Sequence, residues 1–230
     1  MVIQPIMQIA AFTIIGTNLG QGSAGYYAIG NAIYVGARVA LFSAAIAVAA
    51  ERANRTLAIV LATPRNPLVI FSGRLLPPTV IGSASCTVML AAAILCTGTG
   101  LSMPRALALV PVIVLICLAC SAFGLMVGMI GLYLRDSIFL ANVAMYAMLA
   151  FCGVNFSTGS SPLLIRTLGE ILPLGFGLRS VRELFDGQSV NISNISAGLL
   201  HVVAYLLVAA VLLRVMERRA RLRGTLDLSA

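Results

Sequence analysis

Six apolar runs, each of 18 residues or more, constrain what this sequence of 230 residues can fold into. Read with a window of about 19 residues, the runs lie at 1–20, 28–50, 68–98, 106–131, 137–156 and 197–214. A helix of about 20 apolar residues crosses a bilayer core of about 30 Å. The pattern therefore predicts an all-α integral membrane protein with six transmembrane helices.

The composition excludes the soluble classes of protein. Hydrophobic residues make up 60% of the chain and charged residues 10%, against about 45–50% and about 25% in an ordinary soluble domain. No soluble core of this size could hide so much apolar surface. A soluble enzyme, a nucleic-acid-binding protein and a disordered tail are all excluded.

The basic residues and cysteines limit the chemistry. All fifteen basic residues are arginine, so the chain has neither a P-loop lysine for nucleotide phosphates nor a lysine for a Schiff base. His201 is the single histidine, and we expect no metal site and no cofactor in this chain. An odd number of cysteines within the predicted spans gives no disulfide framework; they are Cys86, Cys96, Cys117, Cys120 and Cys152.

The distribution of arginines predicts the orientation of the spans. Ten arginines fall after the second and fourth spans and in the C-terminal tail, four fall on the opposite side, and Arg38 lies inside the second span. Because cytoplasmic connections carry an excess of basic residues, we expect both termini to be cytoplasmic. Residues 1–216 then form one six-span domain, and residues 217–230 form a basic cytoplasmic tail. The first run has no charged n-region or cleavage site and is expected to stay in the membrane.

Charged residues are nearly absent from the spans. None of the seven acids lies in the middle of a span, which argues against an ion-coupled transporter and an intramembrane hydrolase. Arg38 lies near the middle of the second span, about 20 Å from Glu51 at about 1.5 Å per residue. It either snorkels or bonds neighbouring carbonyl groups, or it lines a pathway and pairs with an anionic part of a cargo.

The segment 51–76 joins the second and third spans. Apolar residues recur at helical spacing after Glu51, which suits the first turn of a helix, and Thr63-Pro64 then ends that helix. This pattern predicts a short amphipathic helix along the cytoplasmic surface over residues 51–63. Pro77-Pro78 should break the third run into an interfacial segment near 67–76 and a span proper after it.

Two further patterns concern helix packing and the outer surface. The spacings Gly124-x-x-x-Gly128 and Gly16-x-x-x-Gly20 let helix backbones approach closely in lipid. Residues 162–186 carry apolar residues at helical intervals with charges between them, which predicts two short amphipathic helices at a membrane interface. Their simplest role is to plug the outer end of the bundle.

These motifs together resemble the membrane subunits of bacterial ABC transporters of the type 2 export family. The likeness covers nearly the whole chain, although Arg55 stands where the family usually has glycine and Ala58 where it usually has an acid. The matching residues of the cytoplasmic segment are Glu51-Arg52, Thr56-Leu57, Leu61-Ala62-Thr63-Pro64, Pro67 and Gly73-Arg74-Leu75-Leu76. Those of the outer segment are Pro162, Leu172-Pro173-Leu174, Arg182 and Gly187.

The resemblance implies a non-catalytic permease in a bacterial plasma membrane. Two separate ATPase subunits would bind ATP and Mg²⁺, and a second permease copy or a related permease would complete the pathway. It implies an ATPase-coupling contact at Glu51, Arg52, Thr56, Leu57, Thr63 and Pro64, and an outer gate that includes Pro173 and Arg182. Apolar walls with one arginine favour a hydrophobic or amphipathic substrate such as a drug, an antibiotic or a lipid-like molecule.

Other functions remain open at this stage. Export of a polysaccharide or lipid-linked glycan is less favoured, because the spans offer few aromatic rings and the chain has no tryptophan to stack on sugars. An ATP-independent channel or facilitator would need no partner. A membrane-embedded enzyme or a scaffold would move nothing across the membrane, and no convincing catalytic set supports an enzyme.

Overall fold

The computed structural model describes residues 24–54, 73–98, 102–134, 136–156, 162–189 and 191–223, together with Met7, Ala11 and Ile14. Within these residues the chain is all-helical and contains no strand. Its seven helices are α1 (Ala24–Ala53), α2 (Leu76–Thr97), α3 (Met103–Leu134), α4 (Ser137–Phe151), α5 (Leu163–Ile171), α6 (Gly175–Phe185) and α7 (Ile192–Arg223).

Four of these helices can cross a bilayer by length and composition. They cover Gly25–Glu51, Leu76–Thr97, Met103–Leu134 and Ile192–Val215, which correspond to the predicted second, third, fourth and sixth spans. The predicted first span falls outside the described residues apart from Met7, Ala11 and Ile14. Six spans therefore stay a prediction.

The predicted fifth span is longer than the helix found there. Helix α4 has 15 residues, or about 22 Å at about 1.5 Å per residue, and it ends at Phe151 rather than at residue 156. Gly153 has a φ of 72°, a left-handed conformation that glycine adopts without strain and that ends a helix. Residues 152–156 form a turn instead of a final helical turn.

The predicted start of a new helix at Glu51 is wrong. Glu51 lies in the last turn of α1, which runs through Ala53, because the alanine-rich sequence before it contains no residue that breaks a helix. A carboxylate at a helix C-terminus is unfavourable to the helix dipole. An ion pair with Arg74 compensates for this position.

The third run was predicted to break at Pro77-Pro78, and the structure confirms that a helix begins there. Helix α2 begins at Leu76, and Pro77 and Pro78 occupy its first turn. Amide groups in the first turn have no partner within the helix, so proline loses no hydrogen bond there. Residues 67–72 of the predicted interfacial segment lie outside the described part of the chain.

Helix α1 packs against α2, α3 and α4 and forms the centre of the described bundle. The predicted close packing is confirmed for one of the two glycine pairs: a Cβ on Gly124 of α3 would overlap the Leu41 carbonyl oxygen, and one on Gly128 would lie 2.9 Å from the Ala45 oxygen. Small residues thus bring the two backbones into contact. In lipid, where the surrounding tails are as apolar as the side chains, such close packing is what holds helices together. The other pair, Gly16 and Gly20, lies outside the described residues.

The two predicted amphipathic helices are present as α5 and α6. Two side chains of α7 hold the C-terminal end of α5. Nε2 of His201 lies 2.9 Å from the Glu170 carbonyl oxygen, and the hydroxyl of Tyr205 donates to the Ile171 carbonyl oxygen. These bonds satisfy carbonyl groups that lack partners at a helix end.

Candidate functional site

An ion pair joins the last turn of α1 to the residues before α2. Arg74 donates to Oε1 of Glu51, and the side chains are 32% and 13% exposed respectively. An open groove of about 260 Å³ lies beside it, lined by Ser43, Ala47, Arg74, Pro77, Pro78 and Ile81. Glu51 and Arg74 flank residues 52–73, so the ion pair holds the two ends of this segment close together.

The structure tests the positions of only part of the predicted ATPase contact. Glu51 lies at the end of α1 beside Arg74, and the backbone of Arg52 continues the same helix. The other four predicted residues, Thr56, Leu57, Thr63 and Pro64, lie outside the described residues. The sequence pattern contained both Glu51 and Arg74 but did not show that they pair.

Arg38 lies at the midpoint of the apolar segment Gly25–Glu51 and is half-buried. In the described chain it makes no hydrogen bond and no ion pair with another residue. An arginine at the centre of a span costs about 2.5–3.5 kcal/mol on insertion scales. A half-exposed guanidinium at this depth therefore needs an anion, a polar partner or water.

Tyr34, one turn before Arg38 on α1, connects this part of the helix to polar groups of α4. The hydroxyl of Tyr34 donates to the Met145 carbonyl oxygen at 3.1 Å, which joins α1 to α4. Arg38 and Tyr146 are both close enough to Tyr34 to interact with it electrostatically. Tyr146 is 66% exposed, and Asn142 lies one turn away on the same face of α4.

A second polar group lies at the opposite end of α1 from Glu51. Nη2 of Arg182 on α6 donates to the carbonyl oxygens of Gly153 and Val154 at 3.0 and 3.2 Å, and the guanidinium lies 3.6 Å from the centre of the Tyr26 ring. The hydroxyl of Tyr26 in turn donates to the Phe156 carbonyl oxygen at 3.0 Å. Arg182 thereby ties α6 to the start of α1 and to the turn after α4.

Asn31 adds a direct bond from α1 to the same turn. Its Nδ2 donates to Oδ1 of Asn155 at 2.7 Å and to the Tyr27 carbonyl oxygen at 3.0 Å. We call Tyr26, Asn31, Asn155 and Arg182 the Arg182 cluster. Within the described chain, Oδ1 of Asn31 and Nε of Arg182 are buried without a hydrogen-bond partner.

The Arg182 cluster depends on close approach and on burial. A Cβ on Gly30 would lie 2.6 Å from the Val154 carbonyl oxygen and 3.1 Å from Nη2 of Arg182, so only glycine leaves room there. Burial lowers the pKa of Arg182 from its ordinary value, and nearby Tyr26 and Asp186 raise it in part. The guanidinium stays charged because its ordinary pKa lies far above neutrality.

Pro173 is the other residue that was predicted for the outer gate. It is buried in the turn between α5 and α6 and does not belong to the Arg182 cluster. The sequence reasoning missed Tyr26 as a partner of Arg182, and it missed the pairing of Asn31 with Asn155 beside it. An asparagine inside an apolar run and another near the end of the fifth run were the available signals.

The fold and these polar groups define a class, the polytopic α-helical membrane proteins with charged groups at the helix ends and one charge at mid-depth. The sequence model of one family, described as ABC-2 type transporter, matches residues 1–185. The chain belongs to this family and is the membrane permease component of an ABC transporter, a kind of subunit that works with an ATPase partner. No curated protein matches the chain.

Proposed function

We propose that this chain is the permease subunit of an ATP-driven exporter that moves a hydrophobic or amphipathic molecule, such as a drug, an antibiotic or a lipid-like compound, out of a bacterial cell. The family match over residues 1–185 carries the proposal. ATP and Mg²⁺ bind two separate ATPase subunits, since the chain has no lysine for a P-loop. A second permease copy or a related permease completes the pathway.

The proposed topology has six spans with both termini on the cytoplasmic side of the bacterial plasma membrane. The excess of arginines in the connections after the second and fourth spans and in the C-terminal tail supports it. In this orientation Glu51 and Arg74 face the ATPase subunits. The Arg182 cluster then lies at the outer end of the bundle.

Residues 51–64 form the proposed contact with the ATPase, through Glu51, Arg52, Thr56, Leu57, Thr63 and Pro64. The ion pair between Glu51 and Arg74 supports this role, because it links both ends of the segment to α1 and α2. A displacement of the segment would therefore reach two spans at once. Nucleotide drives the change only if it binds the two states of the complex with different affinity.

The Arg182 cluster and Pro173 form the proposed outer gate. Bonds from Arg182 to Gly153 and Val154, and from Asn31 to Asn155, close the end of the bundle between α1, α4 and α6. Release of the substrate toward the outside requires these contacts to separate. Arg38 lies between the two ends and is proposed to line the substrate pathway.

Reversal of the ion pair tests the coupling. The permease–ATPase complex is reconstituted in sealed vesicles, and uptake of doxorubicin and ATP hydrolysis are measured together. Glu51→Arg places two positive charges side by side, so we expect uptake per ATP to fall several-fold. The double variant Glu51→Arg with Arg74→Glu restores an opposite-charge pair and should recover most of the coupling.

Arg214→Glu is the matched control, because Arg214 is an exposed arginine on α7; it should leave coupling unchanged. Equal coupling in the Glu51→Arg variant and the wild-type complex would contradict the assignment of this contact. Uptake by the permease without its ATPase would instead identify a facilitator and overturn the proposed function.

A further inference from the structure

Among the described residues, no acidic side chain forms an ion pair with Arg38. All seven acids are known from the sequence, and the nearest along α1 is Glu51, thirteen residues or about 20 Å away. Glu51 itself binds Arg74. A second copy of this permease would bring another Arg38 and no acid at that depth. An anion that binds Arg38 therefore has to come from another molecule.

The surroundings of Arg38 show which kind of molecule fits. Helices α1 and α4 meet where Tyr34 bonds Met145, and the exposed Tyr146 hydroxyl and the half-buried Asn142 amide lie one turn apart on the same face of α4. Exposed apolar side chains also lie on these two helices and include Ile46, Phe139 and Val143. The face thus combines one positive charge, neutral polar groups and apolar surface.

A membrane phospholipid in its ordinary position does not reach Arg38. The residue is thirteen positions from either end of the segment Gly25–Glu51, so each layer of headgroups lies more than about 15 Å away. An anion at this depth must therefore belong to a molecule that enters the protein. In an exporter, that molecule is the substrate.

We propose that the face formed by Arg38, Asn142 and Tyr146 binds the anionic group of an amphipathic substrate, a carboxylate or a phosphate. The guanidinium of Arg38 holds the anion through charge-assisted hydrogen bonds. The Tyr146 hydroxyl and the Asn142 amide donate further bonds, and the apolar part of the substrate lies against Phe139 and Val143. This inference rests on the proposed function and adds to it a preference for acidic over uncharged amphiphiles.

A comparison of two probes tests the inference on the unmodified protein. The permease–ATPase complex is placed in nanodiscs of phosphatidylcholine, and binding of dansyl-undecanoic acid and of its uncharged methyl ester is followed by fluorescence without ATP. Because a hydrogen bond to a charged group contributes about 1.5–3 kcal/mol, we expect the acid to bind about tenfold tighter or more. Equal affinities for acid and ester would overturn the inference.

Three variants test whether Arg38 and Tyr146 cause the tighter binding of the acid probe. Arg38→Gln should reduce the ratio of acid to ester affinity to about one, whereas Arg38→Lys keeps the charge and should retain part of the preference. Tyr146→Phe removes one exposed hydroxyl, so folding should be unaffected and the acid should bind about threefold less tightly. Arg214→Gln removes an exposed arginine elsewhere and is the control. An unchanged ratio in Arg38→Gln would overturn the assignment.

An anionic lipid added as a competitor shows whether the site binds a lipid headgroup or a substrate. Replacing part of the phosphatidylcholine by phosphatidylglycerol should leave the affinity for the acid probe unchanged if the site takes a substrate. Displacement of the probe by phosphatidylglycerol would make the site a lipid site and overturn the proposal. Binding is measured without ATP, so a failure here leaves ATP-driven uptake of doxorubicin, and with it the proposed function, standing.

Discussion

At the scale of single residues, the buried polar atoms of the bundle are used to join helices. Thr79 of α2 and Ser121 of α3 are buried with their hydroxyl oxygens 3.0 Å apart. Each hydroxyl also donates to, or lies near, the carbonyl oxygen one turn earlier in its own helix, Leu75 for Thr79 and Cys117 for Ser121. Because each hydroxyl has one proton, one of them donates to the other helix while the other donates to its own helix, so the contact between the helices replaces one local bond.

Thr79→Val tests the strength of this contact. The substitution keeps the branched shape and removes the hydroxyl, while Ser121 still bonds the Cys117 carbonyl oxygen. Hydrogen bonds between membrane helices average about 0.6 kcal/mol, so we expect the free energy of unfolding to fall by about 0.5–1 kcal/mol. Unfolding in mixed micelles of increasing SDS content measures it.

Thr87→Val is the matched control for this prediction. Thr87 is exposed on the same helix, and its hydroxyl bonds only the Ser83 carbonyl oxygen one turn earlier. Its substitution should change the free energy of unfolding by less than that of Thr79. Equal losses for the two variants would show that the Thr79–Ser121 contact contributes nothing of its own.

The residues that carry the candidate site were only partly predictable. Arg38 could be identified from the sequence because a charge inside an apolar run is rare and costly. The partners of Arg182 could not, since Tyr26 lies 156 positions away and Gly153 and Val154 lie 29 and 28 positions away in the chain, and only the fold brings them together. The same holds for the pairing of Glu51 with Arg74.

At the scale of helices, it was easier to predict which helices form, and whether each is apolar or amphipathic, than to predict the residues at which they end. Apolar runs and amphipathic periods located α2, α3, α7, α5 and α6 because burial in lipid or at its surface depends directly on composition. The ends of α1 and α4 were wrong by several residues. Alanine-rich sequence carried α1 past the predicted boundary at Glu51, and the left-handed Gly153 ended α4 early.

Cys96 allows the orientation of α2 to be measured. All five cysteines lie in the described residues, and Cys96 is the exposed one, at the end of α2 away from Arg74. In the proposed topology α2 runs outward, so a membrane-impermeant maleimide added outside intact cells should label Cys96. Cys96→Ser is the control and should abolish labelling; labelling of Cys96 only from the cytoplasmic side would contradict the topology.

At the scale of the whole molecule, polar contacts connect the helices at both ends of the bundle. The pair of Glu51 and Arg74 lies at one end, and the Arg182 cluster lies at the other. The apolar core between them packs closely around α1. In the proposed transport cycle one end of the bundle loosens while the other stays closed, so we expect the contacts at the two ends to be made and broken in turn.

A reversible cross-link tests whether the Arg182 cluster must open. Asn31 and Asn155 are hydrogen-bonded side chain to side chain at 2.7 Å, so cysteines in the pair Asn31→Cys and Asn155→Cys lie within reach of a short bifunctional methanethiosulfonate, which joins them through two disulfides. This cross-link should stop ATP-driven uptake of doxorubicin by the permease–ATPase complex, and a reducing agent should restore it. The single variant Asn155→Cys, treated in the same way, should keep its uptake; full uptake by the cross-linked pair would show that this end does not open.

The bond between Glu51 and Arg74 fixes the end of α1 beside the start of α2, so both ends of residues 52–73 are held by the bundle. If the proposed ATPase contact lies in this stretch, its sequence can change without a change in the direction of the two helices. Related permeases would then differ in the ATPase that they recognise while the helices that handle the substrate stay the same. We expect that exchanging residues 52–73 between two such permeases changes which ATPase binds and leaves the transported substrate unchanged.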